Sequence, residues 1–121
     1  MKTLALFALP ASLVLAVGCG RQESGMLKIR TGVEATMPAY QSGVLNANQA
    51  QSLSATVEQN VTYMIQNCKL EPESDAALHV LIGRMLTASE TMKKDAGSPA
   101  GWPELMAVLH DYAAAFDHPG W

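Results

Sequence analysis

The apolar residues of this chain fall into four stripes, which constrain the fold more than any other sequence feature. Within each stripe apolar side chains recur every three or four residues, the spacing that places them on one face of an α-helix. Amphipathic helices gain most of their stability by packing such faces together. The sequence therefore predicts an all-α fold, an antiparallel up-down-up-down four-helix bundle. The stripes are Met26, Ile29, Val33, Met37 and Tyr40; Leu53, Val57, Val61, Met64 and Cys68; Leu78, Leu81, Ile82, Met85, Ser89 and Met92; and Leu105, Val108, Leu109, Tyr112 and Phe116.

Turn and capping residues separate the stripes. Pro38 predicts that the first helix kinks or ends near Met37. Either Asn46 or Asn48 can cap the second helix, and Pro72 suits the first turn of the third. The fourth helix is expected to begin near Pro103, and no segment alternates convincingly as a β-strand. Residues 26–121 are therefore predicted to form one bundle domain.

The chain opens like a secretory signal. Lys2 supplies a positive charge, and the apolar run from Leu4 to Val17 is too short to be a convincing membrane span. The letters AVGC, which end at Cys19, resemble the lipobox of bacterial lipoproteins, although that family usually has Leu where Ala16 stands. Ordinary signal peptidase would also cut before Cys19. We predict a signal peptide over residues 1–18, then a lipidated Cys19 and short tether over residues 19–25.

The chain has two cysteines, and the fate of one decides the fate of the other. If Cys19 carries lipid, Cys68 has no partner within the chain. A lone thiol in an oxidising compartment must be buried, bound to metal or paired with another chain. If Cys19 is not lipidated, a Cys19–Cys68 disulfide becomes possible.

Soft metal donors are predicted to gather at one end of the bundle. In antiparallel helices, residues equidistant from a turn lie at similar heights. This rule places five donors near one level, with an uncertainty of about 5 Å per helical turn. Thioether, thiolate and imidazole together suit Cu(I). Each donor also has an ordinary structural role as a core or boundary residue. The donors are Met26, Met64, Cys68, His79 and His118.

The layout is also similar to cytochrome b562, in which a methionine on the first helix and a histidine on the last bind haem. Met26 and His118 occupy comparable places. No Cys-x-x-Cys-His is present, which excludes covalent haem attachment. Because the similarity is one of layout and not of motif, haem b is not expected.

Other function classes find little support. The formal net charge of −3 comes with no basic patch interleaved with aromatic residues, so nucleic acid is not an expected partner. Neither a Gly-x-Ser-x-Gly, a His-Glu-x-x-His nor a phosphate loop is present, so no enzyme is expected. Trp102 and Trp121 would form a partner surface if exposed. The alternative is that each ring covers an open end of the bundle.

The stretches CKLEPESDAALH and FDHPGW, together with the lipobox-like start, resemble small bacterial envelope lipoproteins of the helical-bundle type. The resemblance implies a periplasm-facing protein anchored to a membrane by its N-terminal lipid. Our first hypothesis is that such a bundle binds or buffers a soft metal ion such as copper. The alternative is a non-catalytic structural or interaction lipoprotein that meets an envelope protein and binds no metal.

Overall fold

The computed structural model describes residues 15–121, which form a four-helix bundle. The helices are α1 (Gly20–Gln41), α2 (Ala47–Asn67), α3 (Pro72–Lys94) and α4 (Trp102–Ala115). Two short strands, β1 (Ala16–Val17) and β2 (Phe116–Asp117), pair in parallel, with Ala16 opposite Phe116. The all-helical bundle is confirmed, and the two strands are an addition that the sequence does not predict. Within the described residues, no helix is long and apolar enough to cross a membrane.

The core is built from the four predicted stripes. All but Met37, Tyr40 and Cys68 of the stripe residues are buried. Successive helices pack against each other, and α1 also contacts α4, so that the four faces enclose one core. Polar side chains link the same helices: Trp102 Nε1 donates to Thr36 Oγ1 at 2.9 Å, and Ser54 Oγ donates to the Ser89 carbonyl at 3.1 Å.

The segment predicted as a tether is instead the beginning of α1. The helix begins at Gly20, and Gln22 and Gly25 are buried. An added Cβ at Gly25 would lie 2.7 Å from Met64 Cγ, so the glycine allows α1 to approach α2 closely. The prediction was wrong because the polar residues of this stretch were expected to be exposed to solvent. Gln22 is instead buried, with a hydrogen-bond partner on α4.

The first helix also continues past Met37, where Pro38 was expected to kink or end it. It ends at Gln41, about one turn later. The last turn closes with hydrogen bonds from the Ser42 amide to the Pro38 carbonyl at 3.0 Å and from the Val44 amide to the Ala39 carbonyl at 2.8 Å. These bonds pair carbonyls that a helix end would otherwise leave free.

Asn46, and not Asn48, caps the second helix. Its side chain accepts from the Gln49 amide at 2.8 Å, while Gln49 Oε1 accepts from the Asn46 amide at 2.9 Å. This reciprocal arrangement is a capping box, which pairs two backbone donors at the start of α2.

We therefore expect Asn46→Ala to lower the free energy of unfolding by about 1 kcal/mol, because a backbone donor of α2 loses its partner. Asn48→Ala is the matched control: Asn48 is exposed inside the first turn, where alanine is at least as good a helix former. Urea denaturation of both variants measures the difference. Equal losses of stability in the two variants would contradict the assignment of the cap.

Candidate functional site

The two cysteines meet where α1 begins and α2 ends. Cys19 is the N-cap of α1, and its Sγ accepts a hydrogen bond from the Gln22 amide at 3.2 Å. Cys68 is the C-cap of α2. The two residues form a disulfide with a Cα–Cα distance of 6.0 Å, the pairing that the sequence left open as an alternative to lipidation. A thioether to lipid would use the same sulfur, so the disulfide and the lipid exclude each other.

Three of the five predicted metal donors line one small cavity beside this junction. Met64, Cys68 and His79 border a space of about 40 Å³ at the corner between α2 and α3. Met64 is buried, whereas the His79 side chain is 58% exposed and its Nδ1 lies 2.8 Å from the Asp75 carbonyl oxygen. The His79 Nε2 atom is therefore the ring nitrogen that remains for another partner.

The other two predicted donors lie outside the lining of this cavity. Met26 is fully buried in the core. His118 is placed beside Tyr112, whose hydroxyl lies 2.6 Å from His118 Nδ1. In the part of the chain that the structure describes, no group of three or more His, Cys, Asp or Glu residues is positioned to hold a metal ion. The predicted gathering of five donors is thus reduced to Met64, Cys68 and His79.

The two tryptophans cover the bundle instead of forming an exposed partner surface. Trp102 is 5% exposed, and its ring stacks on Tyr40 at a centroid distance of 4.8 Å. Trp121 is half-buried, packs against Tyr112 at 4.8 Å and lies under the Arg30 guanidinium. The structure therefore favours the alternative that each ring closes part of the bundle.

A buried hydrogen-bond chain joins the first helix to the C-terminal residues. Gln22 Nε2 donates to the Tyr112 hydroxyl at 2.8 Å. The Tyr112 hydroxyl also lies 2.6 Å from His118 Nδ1, so this oxygen links Gln22 to the histidine ring. Gln22 Oε1 is buried without a partner. The unusual ending FDHPGW is the one sequence signal for this cluster, and no signal points to Gln22.

Burial raises the pKa of the Tyr112 phenol well above its ordinary value, and the hydrogen bond from Gln22 opposes that effect only in part. The buried phenol therefore remains protonated and keeps its roles as donor and acceptor through the neutral pH range. This chain of three side chains fixes the start of α1 against α4 and against the C-terminal residues.

An open groove of about 660 Å³ lies beside α3, bordered by Gly83, Ala100 and Glu104 among others. Its cation, Arg84, is already paired: Nε donates to Glu104 at 3.0 Å and Nη1 to Asp111 at 2.6 Å. These two carboxylates raise the pKa of Arg84, and Arg84 lowers the pKa of Asp111. The groove thus presents no unpaired arginine charge to a ligand.

We expect Tyr112→Phe to lower the free energy of unfolding by about 1–3 kcal/mol, because the buried Gln22 amide loses its acceptor. The raised phenol pKa also sets a pH dependence. Its contribution to stability is complete below about pH 10, the ordinary tyrosine pKa, and is lost as the pH rises further.

Denaturation at pH 7 and through the alkaline range measures both effects, with Tyr63→Phe as the control because Tyr63 is 39% exposed. Stability should fall less steeply above pH 10 in Tyr112→Phe than in the unmodified chain. An identical alkaline decline in the two proteins would contradict the role given to Tyr112.

No protein-family model matches this chain, and neither a curated protein nor a solved structure is similar enough to match it.

Proposed function

We propose that this chain is an exported, non-catalytic bundle protein of the bacterial envelope, anchored by lipid on Cys19 and engaged in structural or protein-interaction work. The predicted signal over residues 1–18 supports export; residues 1–14 of it lie outside the described part of the chain. The observation that carries the proposal is the position of Cys19 at the N-cap of α1. Lipid at this atom would hold the bundle directly at a membrane, because no tether separates Cys19 from the helix.

The up-down-up-down arrangement belongs to the same proposal. Three connections of a few residues join the helices, and such short connections favour antiparallel neighbours. Contacts between α1 and α4 agree: Gln22 near the start of α1 meets Tyr112 near the end of α4, whereas Thr36 meets Trp102 at the start of α4. With this topology the chain's C-terminal residues lie beside Cys19, on the membrane-facing end.

Lipid on Cys19 and the Cys19–Cys68 disulfide are alternative products of the same thiol. The lipid thioether would form from the free Cys19 thiol, so the lipidated chain would never form the disulfide and Cys68 would remain a thiol. The chain with its Cys19–Cys68 bond therefore represents the form that carries no lipid. Disulfides persist in oxidising compartments, and the pairing therefore agrees with export even where lipid is not attached.

A second candidate function is binding of a soft metal ion, favoured by one observation. Met64, Cys68 and His79 border the same small cavity, and thioether, thiolate and imidazole are the donors that Cu(I) prefers. This site requires a free Cys68 thiolate, and so it depends on lipidation of Cys19 or on reduction of the disulfide. His118 and Met26 are not part of it, and nothing in the site calls for haem.

We expect cells that express the chain to incorporate labelled palmitate into it, since Cys19 is the proposed acceptor. Cys19→Ala should abolish the label, whereas Cys68→Ala should retain it. Gel fluorography after immunoprecipitation makes the measurement. Palmitate that persists in Cys19→Ala would rule out the proposed anchor.

The metal candidate is tested by anaerobic Cu(I) titration of the full lipidated protein, with a chromophoric competitor as the readout. If the site exists, Cys68→Ser and His79→Ala each weaken binding by about tenfold or more, because each removes one ligand. His110→Ala is the matched control, since its side chain is 86% exposed and pairs only with Asp111. The metal candidate fails if all four proteins bind Cu(I) equally or not at all.

A further inference from the structure

The last residues before Cys19 lie in a groove on the bundle surface. Ala16 and Val17 form β1 and pair in parallel with Phe116 and Asp117. Ala16 packs partly buried against the core, whereas Val17 is 71% exposed. The bundle thus already holds one short extended segment through backbone pairing and a single small side chain.

Elements on both sides of β1 form the groove. A space of about 440 Å³ beside the segment is lined on the bundle side by Glu71, Glu73 and Ser74 of the α3 start and by Ala115 at the end of α4. Phe116, which faces Ala16 across the pairing, is 2% exposed. Cleavage before Cys19 would remove β1. The backbone edge of β2 and the surrounding surface would then be exposed.

A buried acceptor lies at the end of the same segment. An added Cβ at Gly18 would lie 2.2 Å from Gln22 Oε1, so the Gly18 backbone sits directly against the Gln22 carboxamide. That oxygen is one of two buried side-chain polar atoms without a hydrogen-bond partner among residues 15–121. When Gly18 is removed, Gln22 Oε1 becomes available to an N–H group that enters the groove. The backbone nitrogen of Cys19 would compete with that N–H group for Gln22 Oε1.

The charge of the groove limits what enters it. Glu71 and Glu73 border the space, and Asp117, which lies opposite Val17 in the strand pairing, is exposed. No lysine or arginine is among the lining residues. Because a basic residue would meet complementary charge at this rim, a segment that carries lysine or arginine is favoured over an acidic one.

We propose that cleavage before Cys19 opens this groove to an extended, basic segment of an envelope protein, which adds as a strand to β2. The mode is β-strand addition, in which backbone hydrogen bonds supply affinity and side-chain space supplies selectivity. A small apolar residue takes the place of Ala16 against Phe116, and lysine or arginine lies near Glu71 and Glu73. The inference rests on the proposed cleavage and names the kind of partner that the proposed interaction function requires.

The test uses the ¹⁵N-labelled protein purified from membranes, after intact mass has located its N-terminus. The probe is the synthetic peptide Lys-Lys-Leu-Ala-Val-Gly, which carries the residues of the native segment behind two lysines. Saturable shifts of the Phe116, Asp117 and Ser74 amide signals are expected. A peptide N-methylated at its alanine and valine should bind at least tenfold more weakly, because it cannot pair with β2.

Two protein variants separate the charge effect from the backbone effect. Glu71→Gln combined with Glu73→Gln should weaken binding about three- to tenfold, the range expected for two exposed charge pairs. Glu90→Gln is the control, since Glu90 lies on the far end of α3 and pairs with Lys93.

Equal affinity for the methylated and unmethylated peptides would overturn the strand-addition proposal. So would the absence of binding by a chain that begins at Cys19, a result that leaves the proposed anchor intact. A mass that retains Leu15 to Gly18 would instead overturn the proposed cleavage, and this inference with it.

Discussion

The covalent partner of the Cys19 sulfur determines how the N-terminal end of this bundle is held. In the structure the bond joins Cys68, so that α1 is fastened to the corner where α2 ends. The closed loop has a sequence separation of 49, and disulfides of such loops typically contribute about 2–4 kcal/mol. A lipid thioether, formed from the free Cys19 thiol, would preclude that constraint and would supply attachment to a membrane in its place. The state of Cys68, and with it any metal chemistry at the corner, follows from the same choice.

The proposed processing at this position would affect more than the sulfur. The residues that precede Cys19 cover the β2 edge and the Gln22 carboxamide, so their removal changes the surface of the bundle as well as its anchor. The buried chain from Gln22 through Tyr112 to His118 remains available to hold the beginning of α1 in place. A domain lipidated on Cys19, and therefore without the disulfide, would thus retain a separate connection between its N-terminal and C-terminal residues.

Much of the fold was predictable from local patterns, because burial of one helical face leaves a period that a single sequence displays. The stripe on α3 is buried throughout, and Asn46 and Pro72 mark helix starts by chemistry that acts within a few residues. Gln22 was not predictable in this way. Its burial depends on Tyr112, which is 90 residues away in the chain, and no local pattern reports such a partner.

The candidate metal site shows the same limit. Distance from a turn gave the height of each donor along the bundle, which sufficed to bring Met64, Cys68 and His79 to one cavity. Height alone does not give the direction in which a side chain points. His118 follows the end of α4, at the same end of the bundle as these three donors. Its ring nevertheless contacts Tyr112 and Trp121 and does not line the cavity.

The most direct test of this account is the covalent state of Cys19 in protein isolated from the envelope. Free thiols are alkylated first, and the protein is then digested without reduction and its peptides are identified by mass. The account predicts that the N-terminal peptide begins at lipid-bearing Cys19 and that Cys68 carries the alkyl group. A disulfide-linked pair of Cys19 and Cys68 peptides, with no lipid on either, would contradict it.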